Sequence, residues 1–194
     1  MRRAQVGDQT DEWTAMGRVP GWEVRIGEGE SPTIEITGDE KIGAFRGIVL
    51  IGRRWRVPDP PPGSVRLKLE YQTYCAMNDP ERPRSGQVSL AIFAPERWGQ
   101  FATDPKSAEI WNPVPDGEGV LAVQPIHRQG EDVTEWREWE SGDLAARLRA
   151  YAGREVVIAV AWSAFHFCEE WAKFRGVQVN IMSEAEAEKQ FLES

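Results

Sequence analysis

Between Val65 and Thr73 the chain reads Val-Arg-Leu-Lys-Leu-Glu-Tyr-Gln-Thr, an unbroken alternation of apolar and polar residues. In an extended strand successive side chains point to opposite faces, so Val65, Leu67, Leu69 and Tyr71 share one face while Arg66, Lys68, Glu70 and Gln72 share the other. A helix would scatter the same residues around its circumference. The stretch therefore predicts a strand with one buried face and one wet face, which requires a second layer of structure against its apolar side. Just before it stand Pro60, Pro61, Pro62 and Gly63. Proline lacks the donor a strand ladder needs, so these residues form the loop that feeds the strand.

The remainder of the chain repeats the pattern in short pieces. Trp22–Ile26 and Thr33–Thr37 flank the turn-like GEGES, GIVLIGRRWRV begins at Gly47, and further strands are predicted at Gln87–Ala94, Val120–Ile126, Trp136–Trp139, Glu155–Trp162 and Val177–Met182. The run VVIAVAW is apolar on both faces, as in a central strand covered on both sides or one lining a groove. Ser141–Gly153 differs. There Leu144, Leu148 and Tyr151 recur every three to four residues, Ser141 or Asp143 can cap the start and Gly153 can end it, which predicts one short helix. The 13 prolines and 18 glycines lie scattered between the apolar runs, the punctuation of many turns. At 194 residues the expectation is one all-β sandwich domain over residues 1–182, with SEAEAEKQFLES (183–194) as a solvated helical tail or linker.

Charge narrows the partners. A formal net charge of -8 and a sequence pI near 5.0 repel phosphate backbones and anionic headgroups, so nucleic acid and membrane are poor partners. No stretch approaches the roughly 18 consecutive apolar residues of a spanning helix, and MRRAQVGDQTDEW holds no apolar signal core. The chain is then either cytoplasmic or a domain of a longer secreted protein, in which case it works outside the cell. Cys75 and Cys168 allow a disulfide or two buried thiols. Motifs for catalysis are scarce: there is no G-x-S-x-G elbow, no Gly-rich phosphate loop and no H-E-x-x-H. Glu138 and Glu140 share one strand face and are the best carboxylate pair for a glycosidase, which needs two such groups roughly 5–9.5 Å apart across a cleft. A solvated strand edge beside Trp139 explains them more simply, so a non-catalytic role is expected.

Nine tryptophans in 194 residues is the most informative count in the sequence. Trp22, Trp55, Trp139 and Trp162 lie in strand-like runs and are expected in the core. Trp98, Trp111, Trp136 and Trp171 sit in the polar surroundings WGQF, IWNP, EWRE and EEWAK and are candidates for surface rings. Exposed indoles suit sugars because the C–H-rich face of a pyranose is apolar, and stacking it on a flat ring removes both from water. Candidate polar partners are Asn78, Asp79 and Arg82 in AMNDPERPR, Asn112 beside Trp111, and Glu170 beside Trp171, each able to grip hydroxyls. His166, in the aromatic segment from Trp162 to Trp171, can donate to a ligand hydroxyl. His166, Cys168, Cys75 and His127 can in principle supply tetrahedral zinc ligands, although the C-x-x-C framework of most such sites is missing.

Four stretches resemble the galactose-binding-domain-like jelly rolls, which supply many carbohydrate-binding modules of bacterial glycoside hydrolases. They are PGW at Pro20 to Trp22, RRWRVPDPPPGSVRLKLEY, WREWESGDL followed by LRAYAGREVVIAVAW, and EEWAKFRGVQVNI. The resemblance spans nearly the whole chain. It implies a jelly-roll β-sandwich of two antiparallel sheets, an oligosaccharide or polysaccharide ligand, a role in holding an associated enzyme or other domains of a longer enzyme on that polymer, and a structural calcium ion. Where members of the family often place an Asp before the last strand, this chain has Phe174, Arg175 and Gly176. Two rival expectations remain open: a protein-interaction or structural sandwich whose tryptophans lie at an interface, and a small hydrolase or lyase on the same fold.

Overall fold

A computed structural model describes residues 2–4, 13–16, 22–27, 32–38, 47–75, 87–104, 119–127, 132–164 and 170–193. Among these residues the strands are β1 (Arg2–Ala4), β2 (Thr14–Met16), β3 (Trp22–Ile26), β4 (Ile34–Gly38), β5 (Gly47–Arg56), β6 (Ser64–Cys75), β7 (Gln87–Phe93), β8 (Val120–His127), β9 (Val133–Glu140), β10 (Glu155–Ala164) and β11 (Glu170–Met182). Sheet one runs β1-β3-β4-β11-β6-β9 and sheet two runs β2-β5-β10-β7-β8, with every neighbouring pair antiparallel. With β4 to β11 counted as eight consecutive strands, the orders 1-8-3-6 and 2-7-4-5 face each other, and every connection except β7 to β8 passes from one sheet to the other. That wrapping is a jelly roll. The strands β1, β2 and β3 extend the two sheets on one side.

The alternating segment does what its pattern dictates. Val65, Leu67, Leu69 and Tyr71 of β6 are buried between the sheets with Ile34, Ile36 and Phe174. Facing them from sheet two are Val49, Ile51, Leu90, Ile92, Ile158 and Val160. Each large side chain so buried stabilises the fold by roughly 1.5–3 kcal/mol relative to exposure. The run VVIAVAW forms most of β10, central in sheet two, and it is covered on both sides. Val156, Ile158, Val160 and Trp162 join the inner core, whereas Val157, Ala159 and Ala161 join a second cluster on the outward side of the sheet.

That second cluster exists because of a helix absent from the sequence expectation, α1 (Pro95–Thr103). Pro95 opens it, as proline does at a first helical turn, and Trp98 and Phe101 face the sheet three residues apart. Their rings meet Phe93, Trp98 at 5.8 Å and Phe101 edge-on at 5.4 Å. Gly52 makes the close approach feasible, since a Cβ there would sit 2.7 Å from Trp98 Cη2.

The expected helix after Ser141 is present as α2 (Ala145–Leu148) followed by a 3-10 turn at Arg149–Tyr151, and Gly153 ends it at φ 71°. Neither cap candidate occupies the N-cap, which is Leu144 with no side-chain bond; both act just before it. Asp143 Oδ1 accepts the N–H groups of Ala145 and Val65 at 2.9 and 3.0 Å, while Ser141 Oγ accepts that of Leu67 at 2.9 Å. Both therefore tie this turn to β6. Burial pushes the Asp143 carboxyl up, but the N–H donors of Ala145 and Val65, with Ser64 and Arg66, outweigh it and leave it below the usual aspartate value. The last helix, α3 (Glu184–Glu193), starts with a capping box in which Ser183 and Glu186 bond reciprocally, N–H to carboxylate at 2.8 Å and N–H to hydroxyl at 3.3 Å.

One strand begins well before its pattern suggests. β11 starts at Glu170, not Val177, because it carries a bulge: Arg175 pairs with Glu70 and Gln178 with Lys68, so three steps on β11 match two on β6. Gly176, at φ 63°, supplies the left-handed residue. Ala172 and Phe174 before the bulge and Val177 after it all point inward, a change of phase that breaks a period-two reading.

Candidate functional site

The two outward faces of the sandwich differ. On sheet two α1 covers the outward face around Val157, Ala159 and Ala161, leaving Arg54 exposed beside it, whereas on sheet one Arg25, Arg66 and Arg175 keep 46%, 47% and 41% of their side-chain surface in water. Alternation brings polar residues of β3, β4, β11, β6 and β9 to this face, and register sets them in rows. Trp171 lies between Thr37 and Tyr74, and Lys173 between Glu35 and Gln72. Arg175 lies beside Glu70, which is followed across β6 by Glu138.

Three aromatic rings stand in this lattice. Trp171 stacks on Tyr74 at 5.6 Å with an interplanar angle of 23°, and Lys173 Nζ lies 5.1 Å from the Trp171 ring centre. On the edge strand β9, Trp136 carries the Arg175 guanidinium 4.1 Å above its ring. Arg175 is fixed from its other side, where Nε and one Nη donate to the two oxygens of Glu70 at 2.7 and 3.1 Å. This two-point hydrogen bond holds Glu70 below the usual carboxylate range against the opposing pull of burial, and raises Arg175 in return. Gln72 reaches the edge strand, donating from Nε2 to the Thr134 carbonyl at 2.7 Å.

Further charges among the described residues of this face are paired as well. Lys173 Nζ is 2.8 Å from Glu35, Arg25 contacts Glu23 at 3.1 Å and Glu35 at 3.9 Å, Lys68 meets Glu138 at 2.9 Å, and Arg66 meets Glu140 at 3.2 Å. The hydrogen bond that the Lys68 ammonium donates to Glu138 raises it above the usual lysine value. Glu138 and Glu140 do share a face, as their spacing requires. They stand side by side along one edge strand, each tied to a cation of β6, rather than opposed across a cleft as glycoside hydrolysis demands.

The sequence candidates separate on this geometry. Trp136 and Trp171 reach the open face. Trp98 does not: it is 7% exposed under α1, and its expected surface role is corrected by the apolar cluster it completes with Phe93 and Phe101. Glu170 is corrected too. Adjacent strand residues point to opposite faces, so Trp171 turns outward and Glu170 turns in, 2% exposed beside buried Thr73 and Ala172. Trp111, Asn112, Asn78, Asp79, Arg82 and His166 lie outside the described residues. The strand ends flanking 76–86 and 165–169 are paired with one another, Cys75 with Glu170 and Gln87 with Ser163, at the end of the sandwich where Tyr74 and Trp171 stand. Residues 105–118 instead join α1 to Gly119, at the far end beside Phe93.

Of the residues suggested for zinc, Cys168, His166 and the side chain of Cys75 are outside the described set, and His127 is buried against Tyr71 at 5.9 Å. Among the described residues no three His, Cys, Asp or Glu side chains gather to hold a metal ion. Among them, no helix is long and apolar enough to cross a membrane. Of the expected core tryptophans, Trp162 is fully buried and Trp55 and Trp139 pack against the core, while the Trp22 side chain is outside the described set.

Tyr74, Lys173, Arg175, Glu70, Gln72 and Glu35 complete the face and were not singled out in the sequence. The alternation of β6 continued by two residues finds Tyr74, and the same step from Trp171 finds Lys173 and Arg175.

No protein-family model and no curated protein matches the chain. Among solved structures it is similar to a family 61 carbohydrate-binding module in complex with β-1,4-galactotriose, at 9% identity over 87% of this chain and 88% of that one, with a TM-score of 0.43. It is similar to a family 30 carbohydrate-binding module of a cellulosomal cellulase of Clostridium thermocellum, at 10% identity over 93% and 98%, TM-score 0.43. It is also similar to part of the glycoside hydrolase domain of Endo-D from Streptococcus pneumoniae, at 12% identity over 89% of this chain and 22% of that one, TM-score 0.40.

Proposed function

We propose that this domain binds carbohydrate without catalysis, on the outward face of sheet one, and so holds an associated enzyme on a polysaccharide. The observation that carries the reading is the stacked pair Trp171 and Tyr74, with Trp136 two strands away, on a sheet face left open to water. The rings rise from strands rather than from loops, so their spacing is set by the sheet: β11 and β9 are separated by β6, which puts the two indole positions about 10 Å apart across the strands. Carboxylates, ammonium and amide groups between them can serve the hydroxyls of a chain that spans that distance. Each ring stack contributes roughly 0.5–1.5 kcal/mol beyond area burial, so two or three with a few hydrogen bonds correspond to a dissociation constant on the order of micromolar to millimolar. The loop residues Trp111, Asn112, Asn78, Asp79, Arg82 and His166 belong to this proposal as additional contacts.

The test is a screen of soluble and insoluble glycans by calorimetry and pull-down, with Trp171→Ala, Trp136→Ala and Trp111→Ala alongside. Binding that is weakened in Trp171→Ala and Trp136→Ala supports the reading. Absence of binding to every glycan, or binding untouched in both variants, sinks it.

A further inference from the structure

Among the described residues of the open face, Arg25, Arg66, Lys68, Lys173 and Arg175 each lie on a carboxylate, that of Glu23, Glu140, Glu138, Glu35 and Glu70 respectively. These ten charges cancel one another in a chain whose formal net charge is -8. The cancellation is tightest beside the rings. Arg175 spends two of its donor nitrogens on Glu70 while lying over Trp136, and Lys173 is 2.8 Å from Glu35 while lying over Trp171. A ligand carboxylate or sulfate would have to take one of these cations from its partner and leave a bare glutamate against the bound anion. Further out, the negative remainder of the molecule repels a polyanion before contact. A hydroxyl has no such conflict, because paired carboxylates keep spare lone pairs and a hydroxyl can donate to them.

We infer that Glu70 and Glu35 set the charge selectivity of this face, cancelling Arg175 and Lys173 so that it takes uncharged glycans and turns away acidic ones. The inference rests on the carbohydrate reading above and adds to it which polymers are refused and which two residues refuse them.

Surface plasmon resonance over matched immobilised polymers tests it: hydroxyethylcellulose against carboxymethylcellulose, β-1,4-galactan against polygalacturonate, and xylan against glucuronoxylan. The expected result is that at least one neutral polymer is held, and that its affinity changes less than about twofold between about 0.02 and 0.5 M NaCl, over which the Debye length falls from about 20 to about 4 Å. Its acidic counterpart is held at least about tenfold more weakly at low salt. Glu70→Gln and Glu35→Gln each uncover a cation, and each raises the affinity for the acidic counterpart about fivefold at low salt, a gain that vanishes at high salt. The two variants sit on different strands, and thermal melting confirms that each is folded before binding is read. A wild type that prefers the acidic polymer, or an acidic-to-neutral ratio unmoved in both variants, overturns the inference while leaving the carbohydrate reading in place. No retention on any polymer overturns both.

Discussion

On β10 the outward residues are Val157, Ala159 and Ala161; on β11 they are Trp171, Lys173 and Arg175. The two strands occupy equivalent central places in their sheets, and both have inward faces packed into the same core. What separates them is the cover outside. Small apolar residues and Gly52 let α1 settle on sheet two, and the result is a second core. Long charged residues on sheet one pair laterally instead, and the result is a surface whose aromatic rings keep contact with water. One fold thus carries a face packed as a second core and a face left open to water, and substitutions on the two should move different observables.

Trp98→Ala removes the largest ring of the covered face and is expected to cost about 3–5 kcal/mol in chemical denaturation. A cost below about 1 kcal/mol would mean that α1 contributes little to the fold. Gly52→Ala is next: its Cβ would meet Trp98 Cη2 at 2.7 Å and Val157 Cγ1 at 2.9 Å. That overpacking is expected to cost about 1–3 kcal/mol. On the open face Trp171→Ala is expected to shift stability by only about 1 kcal/mol while weakening glycan binding about tenfold, and a large loss of stability would erase the contrast between the faces. The Arg66–Glu140 pair is expected to give a coupling of less than about 1 kcal/mol in a double-mutant cycle, since both side chains are close to half exposed. The finest test is titration. Because the folded-state pKa of Glu70 is depressed, its contribution is present above the unfolded carboxylate value and lost as pH falls through the lower folded value. Carboxyl NMR should show that midpoint below the usual glutamate range, and Arg175→Gln should return it upward.

The inner face of the sandwich was legible because burial on one side of a strand writes itself into period two: Val65 to Tyr71 needed no partner to be read, and the run from Val156 to Trp162 left either cover on both sides or a groove, which the outer cluster decides in favour of cover. Trp98 was not legible. Its neighbours Gly99 and Gln100 are exposed on α1, so the polar setting is real, yet one helical face still buries the ring. Which face docks depends on Phe93, just before the helix, and on Gly52, which is distant in sequence. The open face was half legible. Trp136 and Trp171 were found by their polar surroundings, but Glu170 was attached to Trp171 by adjacency, which in a strand means opposite sides. The first half of β11 was hidden by the phase change at Gly176. Tyr74, Arg175 and Glu70 gain their roles only when β6, β9 and β11 are laid side by side.

The bulge at Gly176 has a consequence for reach. A strand with one residue more than its neighbour bends and twists at that point, so sheet one behaves as two plates joined along a crease. Trp171, Lys173 and Arg175 belong to one plate, Gln178 and Asn180 to the other. A stiff polymer lying along β11 has about 14 Å of straight strand beneath it, from Trp171 to Arg175, before the surface turns away. If the carbohydrate proposal holds, this geometry limits contact with a polymer to one short interval of its length, and a longer grip would require several such domains on one molecule.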